Sequence, residues 1–221
     1  MKIYWDTIPK HWSRPPKHQF PVGSRVYVGH QGQGKTLSMV DYVFRLRDEF
    51  PNCKVVSNIK LYGIKYYHFN DSDELIPLLS MQNGANGVII LIDEAHLFFN
   101  KKTGISLDVL TAISQQRKDR KRLVFSSQIW EELDISLRKQ VKEIVSCHCL
   151  GGHWQFNDIQ DGETLTYDKL QSEYVANHIR YEIFKHNDYM YNRYNTFQKI
   201  VSNKDYHRDL TGKVEVYNEK S

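Results

Sequence analysis

The segment 29–36 constrains the fold of this chain more than any other part of the sequence. It reads Gly29-His30-Gln31-Gly32-Gln33-Gly34-Lys35-Thr36, a full match to the pattern G-x4-G-K-[ST]. Residues 25–28 before it have the composition of a short strand, and residues 35–50 place apolar side chains at helical spacing. A strand, a glycine-rich turn and a helix in succession are the context in which this pattern forms a phosphate-binding loop. We therefore predict such a loop here, rather than a turn that ends in Lys and Thr by chance.

Each residue type in this loop has a chemical reason. Glycine at positions 29, 32 and 34 lets consecutive backbone N–H groups face phosphate oxygens, and the helix that follows presents its positive end to the same group. Lys35 is predicted to reach the β- and γ-phosphates as a point charge, and Thr36 to place its hydroxyl on Mg²⁺. The predicted ligands of residues 29–36 are therefore ATP and Mg²⁺.

A second candidate site follows the most apolar run of the chain. Val88-Ile89-Ile90-Leu91-Ile92 is typical of a strand buried on both faces, and Asp93 and Glu94 come directly after it. Asp93 is predicted to hold the Mg²⁺ shell, and Glu94 to act as the general base for an attacking water. The alternative is an ordinary junction in which Glu94 stabilises the first turn of a helix.

Gln128 ends another apolar strand, at residues 122–127. If that strand lies beside the one that ends in Asp93, Gln128 comes near the terminal phosphate. An amide both donates and accepts hydrogen bonds, so it suits a sensor of hydrolysis. The alternative is a polar loop residue.

Arg117, Arg120 and Arg138 are candidates for an arginine that a neighbouring subunit inserts to stabilise charge on the transferred phosphoryl group. Arg117 and Arg138 are equally good candidates. The basic run 117–122 suits two other roles, contact with DNA phosphates or a solvated helix end.

The alternation of strands and helices predicts an α/β fold with a mostly parallel, five-stranded central sheet. Strands are expected at 25–28, 54–57, 88–93, 122–127 and 141–150, and helices at 35–50, 73–81, 107–116 and 131–139. We divide the chain into an N-terminal arm at 1–23, a core at 24–150 and a small C-terminal β or irregular extension at 151–221 packed on the core. In the extension, Asp161-Gly162 is a hairpin signal.

The arm combines prolines with aromatic and basic residues. Pro9, Pro15, Pro16 and Pro21 exclude an interior helix or a central strand. Its tryptophans and basic side chains suit nucleic acid or a neighbouring subunit, and the alternative is a strap packed on its own domain.

Composition excludes several classes of protein. The longest aliphatic run has five residues, whereas a membrane span needs roughly 20. Three cysteines, an odd number, favour a reducing compartment such as a host cytoplasm. Cys147, Cys149 and the nearby His148 and His153 do not match the usual spacing of a zinc site. Residues 1–150 hold 21 basic and 15 acidic side chains, an excess of +6 that permits nucleic-acid binding.

These motifs together resemble the FtsK/HerA branch of P-loop ATPases, above all the Zot-like and viral genome-packaging ATPases. The residues that carry the resemblance are segment 29–36, Ile90-Leu91-Ile92-Asp93-Glu94-Ala95-His96, Ser126-Ser127-Gln128, Leu133-Asp134-Ile135-Ser136-Leu137-Arg138 and Tyr191-Asn192-Arg193-Tyr194-Asn195-Thr196. The resemblance implies a RecA-like fold of the additional-strand, catalytic-Glu type. It also implies a ring, often a hexamer, with ATP at the subunit interfaces and DNA in the pore.

The sequence departs from this resemblance at one point, because phage-assembly members of the Zot type carry a membrane-spanning helix that this chain lacks. That favours a motor for DNA packaging or transfer, virion-associated or bound to a membrane through a capsid, coat or membrane partner. Two alternatives stay open: an ATPase that powers filament assembly or protein secretion, and an ATP-controlled oligomerisation switch with little turnover. Asp93-Glu94-Ala95-His96 also spells a helicase signature, but only one lobe of the two that such helicases need fits this length.

Overall fold

A computed structural model describes residues Ile3–Asp6, 19–99, 105, 107–168, 173–195 and 216–217. Within them, the strands are β1 (Ile3–Asp6), β2 (Gly23–Val28), β3 (Lys54–Ser57), β4 (Tyr66–His68), β5 (Val88–Ile92), β6 (Lys121–Ser127), β7 (Val141–Leu150), β8 (Trp154–Asp161), β9 (Thr166–Asp168), β10 (Glu173–Val175), β11 (His178–Lys185) and β12 (Val216–Tyr217). The α-helices are α1 (Lys35–Glu49), α2 (Ser72–Leu79), α3 (Leu107–Ser114), α4 (Ile135–Arg138) and α5 (Asp188–Tyr191).

The described part of the chain forms one large mixed sheet with the order β1-β11-β8-β7-β2-β6-β5-β3-β4-β12. The block β7-β2-β6-β5-β3-β4 is parallel throughout. Strand β6 therefore lies between β2, which leads into the glycine loop, and β5, which ends before Asp93. Because parallel strands end at the same edge, this order brings the three polar strand ends together.

Helices cover both faces of the sheet, as a parallel sheet requires. Helix α1 packs on one face with α5, and α2, α3 and α4 pack on the other. Every residue of β5 and β6 is buried. The apolar residues of both strands lie in the two hydrophobic cores on either side of the sheet, where burial of apolar surface stabilises the fold.

The predicted fold class is α/β with a mostly parallel sheet, and the structure has this architecture. The expectation of five strands is too low, because the parallel block has β4 as a sixth strand and antiparallel strands extend both sides. The extension supplies β8, which pairs with β7, and β11, which pairs with β8. Asp161-Gly162 does not form a hairpin turn. Gly162 starts a single 3-10 turn, and the hairpin lies at 151–153 between β7 and β8.

The N-terminal segment also joins the sheet, because β1 pairs with β11. Phe20 is buried, and its ring lies 5.3 Å from that of Phe50 in an edge-to-face arrangement. Gly87 packs against the Phe20 ring at a φ of 73° that favours glycine. The arm residues 7–18 lie outside the described residues, and the three-part division of the chain stays a prediction. In the part of the chain that the structure describes, no helix is long and apolar enough to cross a membrane.

Candidate active site

A pocket of about 660 Å³ opens at the edge of the sheet where the parallel strands end. The residues that line it come from the glycine loop and the start of α1, the ends of β5, β6 and β7, and the segments after β3 and β11. They are Gln31, Gly32, Gly34, Lys35, Thr36, Leu37, Ile59, Asp93, Glu94, His96, Leu97, Gln128, Cys149, Gly152, His186, Tyr191, Tyr194 and Asn195. The pocket thus brings together the loop, both acidic residues and Gln128.

The loop is packed closely against the extension. Gly34 caps helix α1 with a φ of 75°, and a Cβ at this position would lie 2.0 Å from Gln155 Oε1. Gln155 is fully buried and donates from Nε2 to the Gln33 carbonyl at 3.0 Å. The Cys149 backbone N–H donates to Gln33 Oε1 at 2.8 Å. Glycine at 34 is therefore required by both backbone conformation and space.

Lys35 and Thr36 begin helix α1 at the floor of the pocket. Lys35 is 6% exposed, and its Nζ donates to the His30 carbonyl at 3.1 Å. A phosphate oxygen in the loop could replace that carbonyl as the acceptor. Thr36 Oγ1 lies 3.1 Å from each carboxylate oxygen of Asp93.

Asp93 is held rigidly at the end of β5. Its backbone N–H donates to Asn58 Oδ1 at 2.8 Å, and its carbonyl accepts from Asn58 Nδ2 at 2.9 Å. The Ser126 hydroxyl donates to Asp93 Oδ1. Burial raises the pKa of Asp93 above its ordinary value, and the hydrogen bond from Ser126 partly opposes this.

Glu94 has a left-handed backbone, with φ 51° and ψ 52°, that few non-glycine residues adopt. Its N–H donates to Ser126 Oγ at 2.9 Å, and its Oε1 accepts from Gln128 Nε2 at 3.0 Å. Oε2 is buried without a hydrogen-bond partner, and His96 Nδ1 lies 3.3 Å from it outside hydrogen-bonding geometry. Residues with uncommon backbone conformations cluster at functional sites, and Oε2 accepts no hydrogen bond from the residues that the structure describes.

The residues at the pocket floor fit Mg²⁺ bound together with a nucleotide. Among the described residues, no group of three or more His, Cys, Asp or Glu side chains is arranged to hold a metal ion alone. Mg²⁺ keeps waters and is commonly bound by one or two protein oxygens plus substrate phosphates. The adjoining oxygens of Thr36 and Asp93 provide such a partial site.

Comparison with solved structures identifies the fold. The N-terminal domain of zonular occludens toxin from Neisseria meningitidis is similar with a TM-score of 0.58 and 18% identity, over 78% of this chain and 98% of that one. A second similar structure is the genome packaging NTPase B204 from Sulfolobus turreted icosahedral virus 2 in complex with ATP-gammaS. Its TM-score is 0.52 and its identity 14%, over 70% of this chain and 96% of that one. No protein-family model matches the sequence, and no curated protein matches it.

The fold is that of a P-loop ATPase. The resemblance to Zot-like and packaging ATPases, predicted from the motifs, is confirmed at the level of fold. The two neighbours are aligned over nearly their whole length, so the likeness is not confined to the glycine loop.

None of the three candidate arginines, Arg117, Arg120 and Arg138, lines the pocket of its own chain. Arg117 is exposed in the turn after α3. Arg138 Nη1 donates to the Tyr174 hydroxyl at 3.2 Å, and its guanidinium lies 5.8 Å from the centre of that ring. Their role as arginines supplied to a neighbour stays a prediction.

Two basic residues of the run 117–122 are not available to contact DNA phosphates, and that role stays a prediction for the exposed ones. Lys121 and Arg122 are 1% and 3% exposed because they begin the central strand β6. Lys121 pairs with Asp119 at 2.7 Å, and Arg122 pairs with Glu143. Arg117, Lys118 and Arg120 stay on the surface.

Cys147 belongs to the core and not to a reactive site. Its side chain is 1% exposed, and burial raises the pKa of its thiol to about 12. A thiol that stays protonated at neutral pH is a poor nucleophile and a poor metal ligand.

Three buried residues that support the site are absent from the predicted set: Asn58, Ser126 and Gln155. Asn58 follows β3, the neighbour of β5, and Ser126 ends β6 beside it. The signal that could have identified both is their position as polar residues at the carboxyl ends of strands. Gln155 has no such signal, because β8 reaches the loop only through its antiparallel pairing with β7.

Proposed function

We propose that this protein is an ATP-hydrolysing motor that translocates or packages DNA and acts as a ring. The observation that carries the proposal is the convergence of Lys35, Thr36, Asp93 and Glu94 on one pocket of a P-loop ATPase fold. Such a pocket has a cation for the phosphates, a partial Mg²⁺ site and a carboxylate oxygen that no hydrogen bond from the described residues occupies. In the additional-strand, catalytic-Glu class of P-loop ATPases, β6 corresponds to the additional strand because it lies between β2 and β5, and Glu94 corresponds to the catalytic glutamate.

The chemistry assigned to each residue follows from its position. The loop N–H groups and Lys35 bind the triphosphate, and Thr36 and Asp93 would hold Mg²⁺, which offsets charge on the β- and γ-phosphate oxygens when bound. Glu94 Oε2 accepts a proton from the attacking water as the bond between the γ-phosphorus and the bridging oxygen breaks, giving ADP and phosphate. Gln128 Nε2 donates a hydrogen bond to Glu94 Oε1. Loss of the γ-phosphate on hydrolysis would therefore be transmitted through Glu94 and Gln128 to strand β6.

DNA as the cargo is supported by a fold likeness and by charge. One structural neighbour is described as a genome packaging NTPase, and residues 1–150 carry a basic excess. The ring is supported by the pocket, because no arginine of the described residues lines it. A virion or a host cytoplasm, with a capsid, coat or membrane partner, is the proposed setting.

A second candidate is an ATPase for filament assembly or protein secretion. The likeness to the zonular occludens toxin domain, with a TM-score of 0.58, favours it. A motor on DNA and an ATPase on protein differ in whether DNA stimulates hydrolysis. A nucleotide switch is less favoured, because binding of ATP without turnover gives no role to the Glu94 carboxylate in the pocket.

The test is steady-state ATP hydrolysis with and without DNA across a salt series. We expect hydrolysis that DNA stimulates and that rising salt suppresses, because phosphate contacts weaken as salt increases. Lys35→Ala should abolish ATP binding, and Glu94→Gln should keep binding but lower hydrolysis by roughly 10²–10⁴-fold. The exposed residues Lys65 and Glu131 supply matched controls, Lys65→Ala and Glu131→Gln.

Each contrary result identifies a different error. Activity indifferent to DNA at every salt concentration would move the assignment to protein assembly or secretion. Full turnover in Glu94→Gln would remove Glu94 as the base. Tight ATP binding with equally slow turnover in wild type and Glu94→Gln would favour the switch.

A further inference from the structure

The pocket extends past the glycine loop on the side opposite to Glu94. The loop follows β2, and Glu94 and Gln128 follow β5 and β6 on one side of it. Three pocket residues lie on the other side of the loop. Cys149 is in β7, Gly152 is in the β7–β8 hairpin, and His186 follows β11. All of them line the same continuous pocket.

This layout fixes the direction in which a nucleotide lies. If Glu94 acts at the terminal phosphate, the triphosphate runs along the loop with its γ-phosphate toward β5 and β6. The sugar and base then leave toward β7 and β11. The aromatic side chains on that side are His186 and Tyr191.

The rings of His186 and Tyr191 form a preformed pair. The Tyr191 hydroxyl lies 2.8 Å from His186 Nδ1, and the two rings are 5.7 Å apart at 83°. His186 Nε2 lies 3.1 Å from Gln155 Oε1, and Gln155 in turn donates to the Gln33 carbonyl of the loop. Both ring nitrogens and the hydroxyl are therefore engaged, which leaves ring faces as the surface offered to a ligand.

The segment that carries Tyr191 is anchored on both sides of it. Asn187 accepts from the Met190 N–H at 2.9 Å, and Met190 is buried. Further along, the Arg193 carbonyl accepts from the Tyr62 N–H at 2.8 Å, and the Asn195 N–H donates to the Lys60 carbonyl at 3.1 Å. A ring held in place in advance loses little conformational freedom on binding. Tyr191 is nevertheless 39% exposed, so one part of its ring is accessible.

We propose that Tyr191, oriented by His186, is the stacking platform for the base of a purine nucleotide in this pocket. The proposal rests on the proposed function, because it needs a nucleotide whose phosphates lie in the glycine loop. Stacking on an aromatic ring is tolerant of base identity, because every base has a π-face. Since the polar atoms of both rings are engaged, this pair should prefer purines over pyrimidines by stacking area and should distinguish adenine from guanine weakly.

The experiment compares a nucleotide with a ligand that has no base. Calorimetry with Mg²⁺ measures the affinity of wild type and variants for a non-hydrolysable ATP analogue and for inorganic tripolyphosphate. Tyr191→Ala should weaken the ATP analogue about 10- to 100-fold, the range for loss of one stacked base, and leave tripolyphosphate within about twofold. Tyr191→Phe keeps the ring and should retain most of the affinity. The GTP and CTP analogues should bind Tyr191→Ala with nearly equal affinity.

Tyr189→Ala is the matched control, because Tyr189 lies on the same helix, is 66% exposed and does not line the pocket. Equal loss of ATP affinity in Tyr189→Ala and Tyr191→Ala would overturn the proposal, since the effect would then come from the segment and not from the ring. An equal loss of affinity for the ATP analogue and for tripolyphosphate in Tyr191→Ala would also overturn the proposal. So would unchanged affinity for both ligands. If wild type and Lys35→Ala alike bind neither ligand, the proposed function itself fails.

Discussion

At the scale of single residues, the site is built around a buried carboxylate that is costly without its ligand. Asp93 is 7% exposed, and burial raises its pKa, so the ionised form is less stable in the fold than in the unfolded chain. Three neighbours hold it in place nevertheless: Asn58, Ser126 and Thr36. Such a group is expected where a cation binds with the substrate.

We therefore predict that Asp93→Asn stabilises the nucleotide-free protein while it abolishes stabilisation by Mg²⁺ and ATP. The gain at neutral pH should be about 0.5–2 kcal/mol, the usual range for one stabilising substitution. It should shrink as the pH falls through the raised pKa of Asp93, because the folded wild-type protein then takes up a proton before the unfolded chain does. Urea unfolding from pH 4 to pH 8 measures it.

The matched control for this prediction is Asp48→Asn, on the exposed end of α1. It should change neither the stability nor its pH dependence by more than a few tenths of a kcal/mol. A clear loss of stability in Asp93→Asn at neutral pH would contradict the prediction and mean that the carboxylate contributes more through its hydrogen bonds than burial costs.

At the scale of elements, three parallel strands are linked by a buried ion network. Arg25 of β2 donates from Nε to Glu143 Oε2 of β7 at 2.9 Å, and Arg122 of β6 pairs with the same oxygen. The Arg25 guanidinium lies 4.1 Å from the centre of the Tyr42 ring of α1. Although burial alone would raise it, the pKa of Glu143 is held well below its ordinary value by Arg122 and then by Arg25.

Glu143→Gln should destabilise the protein by roughly 3 kcal/mol, the lower end of the range for breaking a buried pair, because glutamine still accepts one hydrogen bond. Because the pKa of Glu143 is lower in the folded state, its contribution is complete above its ordinary pKa of 4.5 and is lost as the pH falls below that value. Chemical denaturation of wild type and Glu143→Gln at pH 7 and pH 3 measures the destabilisation and its dependence on pH. The gap between variant and wild type should narrow at pH 3, and a constant gap would contradict the electrostatic account.

Sequence patterns predicted the centre of the sheet but not its borders. The apolar run of β5 and the shorter one at residues 123–125 of β6 are visible, because a strand buried on both faces favours consecutive apolar residues. Strand β4 has only three residues, two of them tyrosine, and its pairing with β3 decides its conformation. Strands β8 and β11 alternate only loosely, and nothing local in either sequence specifies the partner.

The same distinction holds for the site. Lys35, Thr36, Asp93 and Glu94 follow from motifs whose spacing has a chemical reason. Asn58 and Gln155 reach the site only through the order of the strands, β3 beside β5 and β8 beside β7. A polar residue at a strand end is too common in loops to be recognised without that order.

At the scale of the whole molecule, the pocket lacks one group that phosphoryl transfer commonly uses. No arginine of the described residues lines it, and Lys35 is its single lysine. A guanidinium supplied to the transition state is worth about 10³–10⁵ in turnover. We propose that a second copy supplies this arginine, and Arg138 and Arg117 are the candidates.

Mixing of inactive variants tests this directly. Arg138→Ala and Glu94→Gln should each be inactive alone, whereas their mixture should recover a fraction of wild-type hydrolysis, because some interfaces pair an intact Glu94 with an intact Arg138. Arg117→Ala is tested in the same way, and Arg47→Ala on α1, outside the pocket, is the control that should stay active. Loss of activity without recovery in any mixture would mean that the arginine acts within its own chain or in folding. Full activity of both Arg138→Ala and Arg117→Ala would exclude both residues as the arginine supplied to a neighbouring subunit. The argument from the pocket for a ring would then fail.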